Sequence, residues 1–188
     1  MMRVMPLLLL LAAAVPAAAA DAPWVVDARA VATAVPPKLL AMLTEAINQG
    51  GPEGAIGVCR EKAPQMAQAA SAQSGWQIRR VSQRNRNPKA VPDAWELAAL
   101  ADFDRRAEAG ESPATLERAE IVTDNGQATY RYLRALPTQA LCVSCHGAPD
   151  QLSPAVAARL HELYPGDLAV GYSPGQIRGA ITLKKPLP

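Results

Sequence analysis

Cys142-Val143-Ser144-Cys145-His146 constrains this chain more than any other stretch. Two thiols three positions apart, followed at once by an imidazole, match the attachment site of a c-type haem. Each sulfur adds to one vinyl group on an edge of the macrocycle, and the next residue, His146, lies beneath the iron as its proximal ligand. Two plainer readings fit less well. A redox dithiol of the thioredoxin kind belongs in a βαβ setting, and a zinc site needs a second close-spaced ligand pair. The sequence offers only Cys59 and His161 besides the motif. A chain built round this pentapeptide has to enclose a flat apolar disc held against one histidine.

The N-terminus points to the compartment in which such attachment takes place. Met1 to Ala20 places Arg3 ahead of an apolar run from Leu7 to Val15, then Pro16 and a string of alanines. That is the layout of a secretory signal peptide, residues 1–20, cleaved after Ala18-Ala19-Ala20. The apolar run is short for a bilayer span, which takes about 20 residues. Removing 20 of the 188 residues leaves 168, residues 21–188, enough for one domain with its own core. No later stretch reads as a membrane span, and the expected location is the periplasm. With 19 basic and 17 acidic side chains, the charge is too nearly balanced to suggest nucleic acid as a partner.

One phenylalanine, three tryptophans and four tyrosines make a core poor in large rings. A buried macrocycle would supply the missing apolar bulk. In order, Asp21 to Pro37 reads as an irregular lead broken at Pro36-Pro37. Leu39, Leu40, Leu43, Ala46 and Ile47 fall at helical spacing, and Gly50-Gly51 ends that helix. A second helix starts near Pro52 or Glu53, with Ile56, Cys59, Ala63, Met66, Ala67 and Ala70 on one side. Trp76 to Ser82 suits a strand, and residues 83–88 form an arginine-rich loop. Pro92-Asp93 opens a third helix with Leu97, Leu100, Ala101 and Phe103 as its apolar side and Gly110 as its stop. Asn125-Gly126 between two β-prone runs predicts a hairpin that leads into the cysteine motif. Ser153-Pro154 opens a short helix ending at Tyr164, and Ile177 to Leu183 alternates as a half-buried antiparallel strand.

Cys59 is the odd thiol of an exported chain. It is either a small buried hydrophobe or an axial ligand opposite His146. Pro64 crowds the carbonyl of Arg60, so the helix should kink or restart just after Cys59. Met66, His161 and Met42 are rivals for the same iron position. Arg79, Arg80 and Arg86 could clamp two haem propionates, because guanidinium forks match carboxylates. No acid, base or nucleophile set suggests an enzyme.

Several motifs occur in one order: Ala55-Ile56-x-Val58-Cys59 with Ala63-Pro64, Arg79-Arg80-Val81-Ser82 with Arg86-Asn87-Pro88, and Pro92-Asp93-x-Trp95-Glu96. The cysteine motif, Tyr164-Pro165-Gly166-Asp167, Gly171-Tyr172 and Arg178-Gly179-Ala180 follow. Together they resemble the Tll-type c-haem domain family. The resemblance implies an α+β fold, a PAS-like antiparallel sheet flanked by helices in a single domain, with one covalent haem c. It also implies His146 and a cysteine as axial ligands, which carries over to Cys59. Two function classes follow. One is a haem-based sensor of redox state or of a diatomic gas, read by a separate signal-transducing partner; the other is a small electron carrier serving a redox partner protein.

Overall fold

The computed structural model describes residues 20–124 and 126–187. Most of the expected leader, and Asn125 of the hairpin turn, lie outside the described residues. The fold is α+β and PAS-like, a single domain in which helices flank a four-stranded antiparallel sheet. The strands are β1 (Gln77–Val81), β2 (Glu117–Asp124), β3 (Gln127–Pro137) and β4 (Ile177–Pro186), in the order β1-β4-β3-β2. The β2–β3 hairpin pairs Asp124 with Gln127, as the Asn-Gly signal predicts.

Two apolar layers sandwich the sheet. On one face Trp76, Tyr132, Ile181 and Leu183 pack against Ala28 and Ala32 of helix α1 (Pro23–Gly57). On the other, Val81, Leu133 and Ala180 pack against Leu100 and Phe103 of α3 (Ala94–Glu108). Because β4 is central, Gly179 to Leu183 are buried on both faces. The half-buried alternation expected of that strand is therefore absent: Thr182 occupies the polar slot by donating to Glu96 at 2.9 Å.

The N-terminal lead differs most from expectation. Instead of an irregular segment, residues from Pro23 onward are helical and pass through Pro36 and Pro37 without a break. Pro23 stands in the first turn, where its missing N–H is harmless. Val25, Ala28 and Ala32 then recur at helical spacing and bury against the sheet, which outweighs the local preference of the two prolines. The helix does break at Gly50-Gly51, where Gly51 has φ +70°. Beyond it, residues Val58–Lys62 form a π-helical turn, and α2 (Ala63–Ser74) restarts with Pro64 in its first turn and ends at Gly75. The expected irregularity after Cys59 thus takes the form of an expanded turn. By length and composition Pro23–Ser74 is apolar enough to cross a membrane, contrary to the sequence expectation. In the fold, its first turns bury against the sheet, and Leu39, Leu40, Leu43 and Ile47, half-buried, line a partly open cavity.

Helix α3 is also rotated relative to expectation. Leu97 is 48% exposed, while Glu96 is 1% exposed. Asp93 and Glu96 form a capping box: Asp93 Oδ1 accepts from Glu96 N at 2.9 Å and Glu96 Oε2 accepts from Asp93 N at 2.8 Å. The same carboxylate pairs with Arg79 and with Arg131, the latter at 3.1 Å. Glu96 therefore joins β1, β3, β4 and α3 across one sheet face. Removing one partner of such a buried group typically costs about 3–5 kcal/mol. Glu96→Ala should lower the unfolding free energy by that amount, read as a reduced denaturant midpoint with unchanged slope.

Candidate functional site

The hairpin delivers the cysteine motif to its place. After β3 a short 3₁₀ turn, Ala140–Cys142, runs directly into α4 (Val143–His146). Positions i, i+3 and i+4 of one helical turn share a face, so Cys142, Cys145 and His146 project together. All three line one cavity of about 470 Å³, within the size range of cofactor sites. Gly147 closes the turn: its N donates to Val143 O at 2.8 Å, and a Cβ there would stand 2.5 Å from that same oxygen.

The motif backbone is pinned from outside. Arg86 Nη2 donates to Cys145 O at 2.6 Å, Tyr172 N donates to His146 O at 2.8 Å, and Gly171 N donates to Gly147 O at 2.7 Å. Arg86 is itself held by Asp167 at 2.8 Å. The imidazole of His146 is set by Ala169, whose carbonyl lies 2.7 Å from Nδ1. A neutral imidazole that donates from Nδ1 leaves Nε2 as the nitrogen able to bind a metal. Burial, reinforced by the Arg178 and Arg86 charges, pushes the His146 pKa down to about 2, so the ring stays neutral.

Helix α1 and the π turn line the same cavity. Cys59 lines the same cavity, so all three cysteines of the chain face it. Burial raises the Cys59 thiol above its usual range, while Arg80, Arg86 and Arg178 pull it down and Cys142 pushes it up. Cys145 packs its sulfur 3.8 Å from Pro52 O, just beyond the glycine break. Burial pushes its thiol up to about 11. A working redox dithiol needs a lowered thiol pKa, so this pair is poorly set for disulfide exchange.

Met66 also lines the cavity, two turns beyond Cys59; His161 and Met42 do not. Among the described residues no three His, Cys, Asp or Glu side chains cluster as a stand-alone metal centre. The donors fit an iron that arrives inside a macrocycle: one cavity is lined by an imidazole, His146, by the motif thiols Cys142 and Cys145, and by a further thiol and thioether, Cys59 and Met66.

The three arginines expected at the propionates do not serve alike. Arg79, Arg80 and Arg86 all border the cavity. Arg79 is engaged by Glu96 and by the Lys89 and Val91 carbonyls, and Arg86 by Asp167 and the motif backbone. Strand alternation explains the split: Arg79 shares a face with Val81 toward α3, whereas Arg80 shares one with Ile78 toward the cavity. Among the described residues, Arg80 makes no hydrogen bond and is exposed at the cavity mouth.

Two further cavity arginines were not singled out as propionate partners in the sequence. Arg178 reaches His146 from β4, and Arg134 reaches the rim from β3. Arg134 Nη1 donates to Glu117 at 3.0 Å, where Arg29 and the Tyr132 hydroxyl, at 2.6 Å, also donate. Burial pushes the Glu117 carboxyl up, but these donors outweigh it and hold the pKa below 4.5. A depressed carboxylate stabilises the fold fully above its unfolded pKa and ceases to as pH falls through its folded one. The unfolding midpoint should therefore drop below about pH 4.5 more steeply in the parent than in Glu117→Gln, followed by thermal melts from pH 6 to 3.

The Tll0287-like family model matches residues 15–186 of this chain. The chain is also similar to the crystal structure of the cyanobacterial heme-protein Tll0287. That match has 29% sequence identity and a TM-score of 0.57, and it covers 70% of this chain and 73% of the other. No curated protein matches it. With the family model spanning the hairpin, the cysteine motif and the wall that carries Cys59, the chain belongs to the Tll0287-like family.

Proposed function

We propose that this protein is an exported, periplasmic monohaem c-type haem protein, in which Cys142 and Cys145 hold the macrocycle covalently and His146 and Cys59 ligate the iron. It acts as a sensor of redox state or of a diatomic gas, read by a separate partner protein. The observation that carries this reading is the convergence of all three cysteines and His146 on one apolar cavity. The likeness to a heme-protein of known structure supports it. The apolar leader before Asp21 supports export.

When bound, haem supplies an iron that changes charge by one electron and accepts small diatomic ligands. The chain's residues do the rest. The Ala169 carbonyl orients the His146 ring, Arg86 pins the Cys145 and Ala169 carbonyls, Arg80 offers an unengaged guanidinium to a propionate carboxylate, and the apolar side of α1 excludes water. Arg79 contributes to the fold on the far face of the sheet.

Sensing rather than simple electron transfer is favoured by the setting of Cys59. It sits in the π turn Val58–Lys62, between Gly57 and Pro64. A π turn carries one residue more than the α register needs, so the turn has an alternative pairing close at hand. Release of Cys59 from the iron would let it tighten, and the shift would reach α2. Such a device needs two states only a few kcal/mol apart. Carbon monoxide or nitric oxide added to the reduced protein is expected to bind and to change amide-exchange protection across residues 58–67. Unchanged protection in both oxidation states, with no gas bound, would contradict sensing and favour the electron carrier.

A further inference from the structure

Arg178 is a half-buried cation with no carboxylate hydrogen-bonded to it. Its Nη1 donates to Ser82 Oγ at 3.0 Å and to Arg84 O at 3.3 Å, its Nε lies 3.2 Å from His146 Nδ1, and its Cζ stands 5.2 Å from the centre of the Tyr172 ring. It has no ion-pair partner among the described residues. Asp167, which acts on it electrostatically, is already bonded to Arg86. Withdrawing a cation even partly from water without a paired carboxylate carries a desolvation cost. What singles out the position is the ring it faces.

We infer that Arg178 is a positioning residue whose fixed charge, held behind the His146 imidazole, sets the electron affinity of the metal that His146 carries. The inference rests on the haem reading above. Taking one electron from a donor lowers the charge of the iron site by one, with no bond made and no proton moved. Positive charge held close by in a low-dielectric surround favours that reduced state. The thiolate expected from Cys59 acts in the opposite sense. Arg178, beside the His146 ring, and Cys59 thus act on the resting state in opposite senses. Ser82 holds the device in place, its Oγ lying 2.9 Å from Arg178 O as well as against the guanidinium.

The test is a potentiometric titration of the haem-loaded full chain. Arg178→Gln is expected to move the equilibrium about tenfold toward the ferric form, a fall of about 59 mV for one electron. Arg178→Lys, which keeps the charge, should stay within about threefold of the parent. A purely structural role would lower the melting temperature of both variants and leave both potentials at the parent value, and that result would overturn the inference. So would equal shifts in the two variants. If Arg178→Gln does not load haem, Ser82→Ala replaces it; a smaller fall is expected, and an unmoved potential overturns the inference. A parent protein that carries no covalent haem defeats the underlying reading instead, a result distinct from loaded proteins with equal potentials.

Discussion

Alanine at both Cys142 and Cys145 is expected to reduce covalent haem from one per chain to none. The two sulfurs lie on one turn with His146 and face the same cavity. Cys59 lines the same cavity from the π turn. Single replacements should each retain one thioether and a weakened, heterogeneous product, measured by intact mass after denaturation. The loss reaches beyond the link itself. Leu39, Leu40, Leu43 and Ile47 of α1 line the cavity, and their apolar surface is what the macrocycle would cover. The double variant should therefore melt about 10 °C or more below the loaded parent, since each kcal/mol moves the midpoint of a chain this size by about 2–4 °C. A double variant that retains covalent haem would contradict the assignment of these two residues.

The second large effect concerns Cys59. Its thiol faces the cavity and is acted on by Arg80, Arg86 and Arg178, three charges that favour a thiolate once a metal replaces the proton. An anionic thiolate stabilises ferric iron, so Cys59→Ala should raise the reduction potential and change the ferric absorption spectrum. The expected rise exceeds a tenfold change in the ferric-to-ferrous balance, about 59 mV for one electron. Met66 provides the control, because it lines the same cavity and a thioether partner to histidine gives a higher potential. If Cys59→Ala matches the parent while Met66→Ala does not, the axial ligand is Met66. Double replacement should leave a five-coordinate iron open to carbon monoxide in either account.

Much of this site was legible in the sequence, because local spacing fixes it. Cys142, Cys145 and His146 need only one helical turn to share a face, and Asn125-Gly126 needs only a two-residue turn to pair β2 with β3. Pro64 announced an irregularity after Cys59, although not its π form. The parts that were not legible depend on contacts distant in sequence. Pro36-Pro37 reads as a break until Val25, Ala28 and Ala32 find the sheet. Glu96 looks like a solvent-facing member of α3 until Arg79, Arg131 and Thr182 converge on it. That same convergence gives Arg79, which also borders the cavity, an ion-pair partner within the fold. Arg178 could be noticed in sequence only as part of a motif. Its approach to His146 exists because β4 runs down the centre of the sheet, where a residue at the strand's start meets the loop behind the motif.

The central claim is a macrocycle bonded to Cys142 and Cys145. Its most direct test is the intact mass, after denaturation, of the exported protein matured alongside a working haem-attachment system. The predicted result is a coloured protein whose mass equals residues 21–188 plus one haem. A colourless protein with the mass of the bare chain would contradict it.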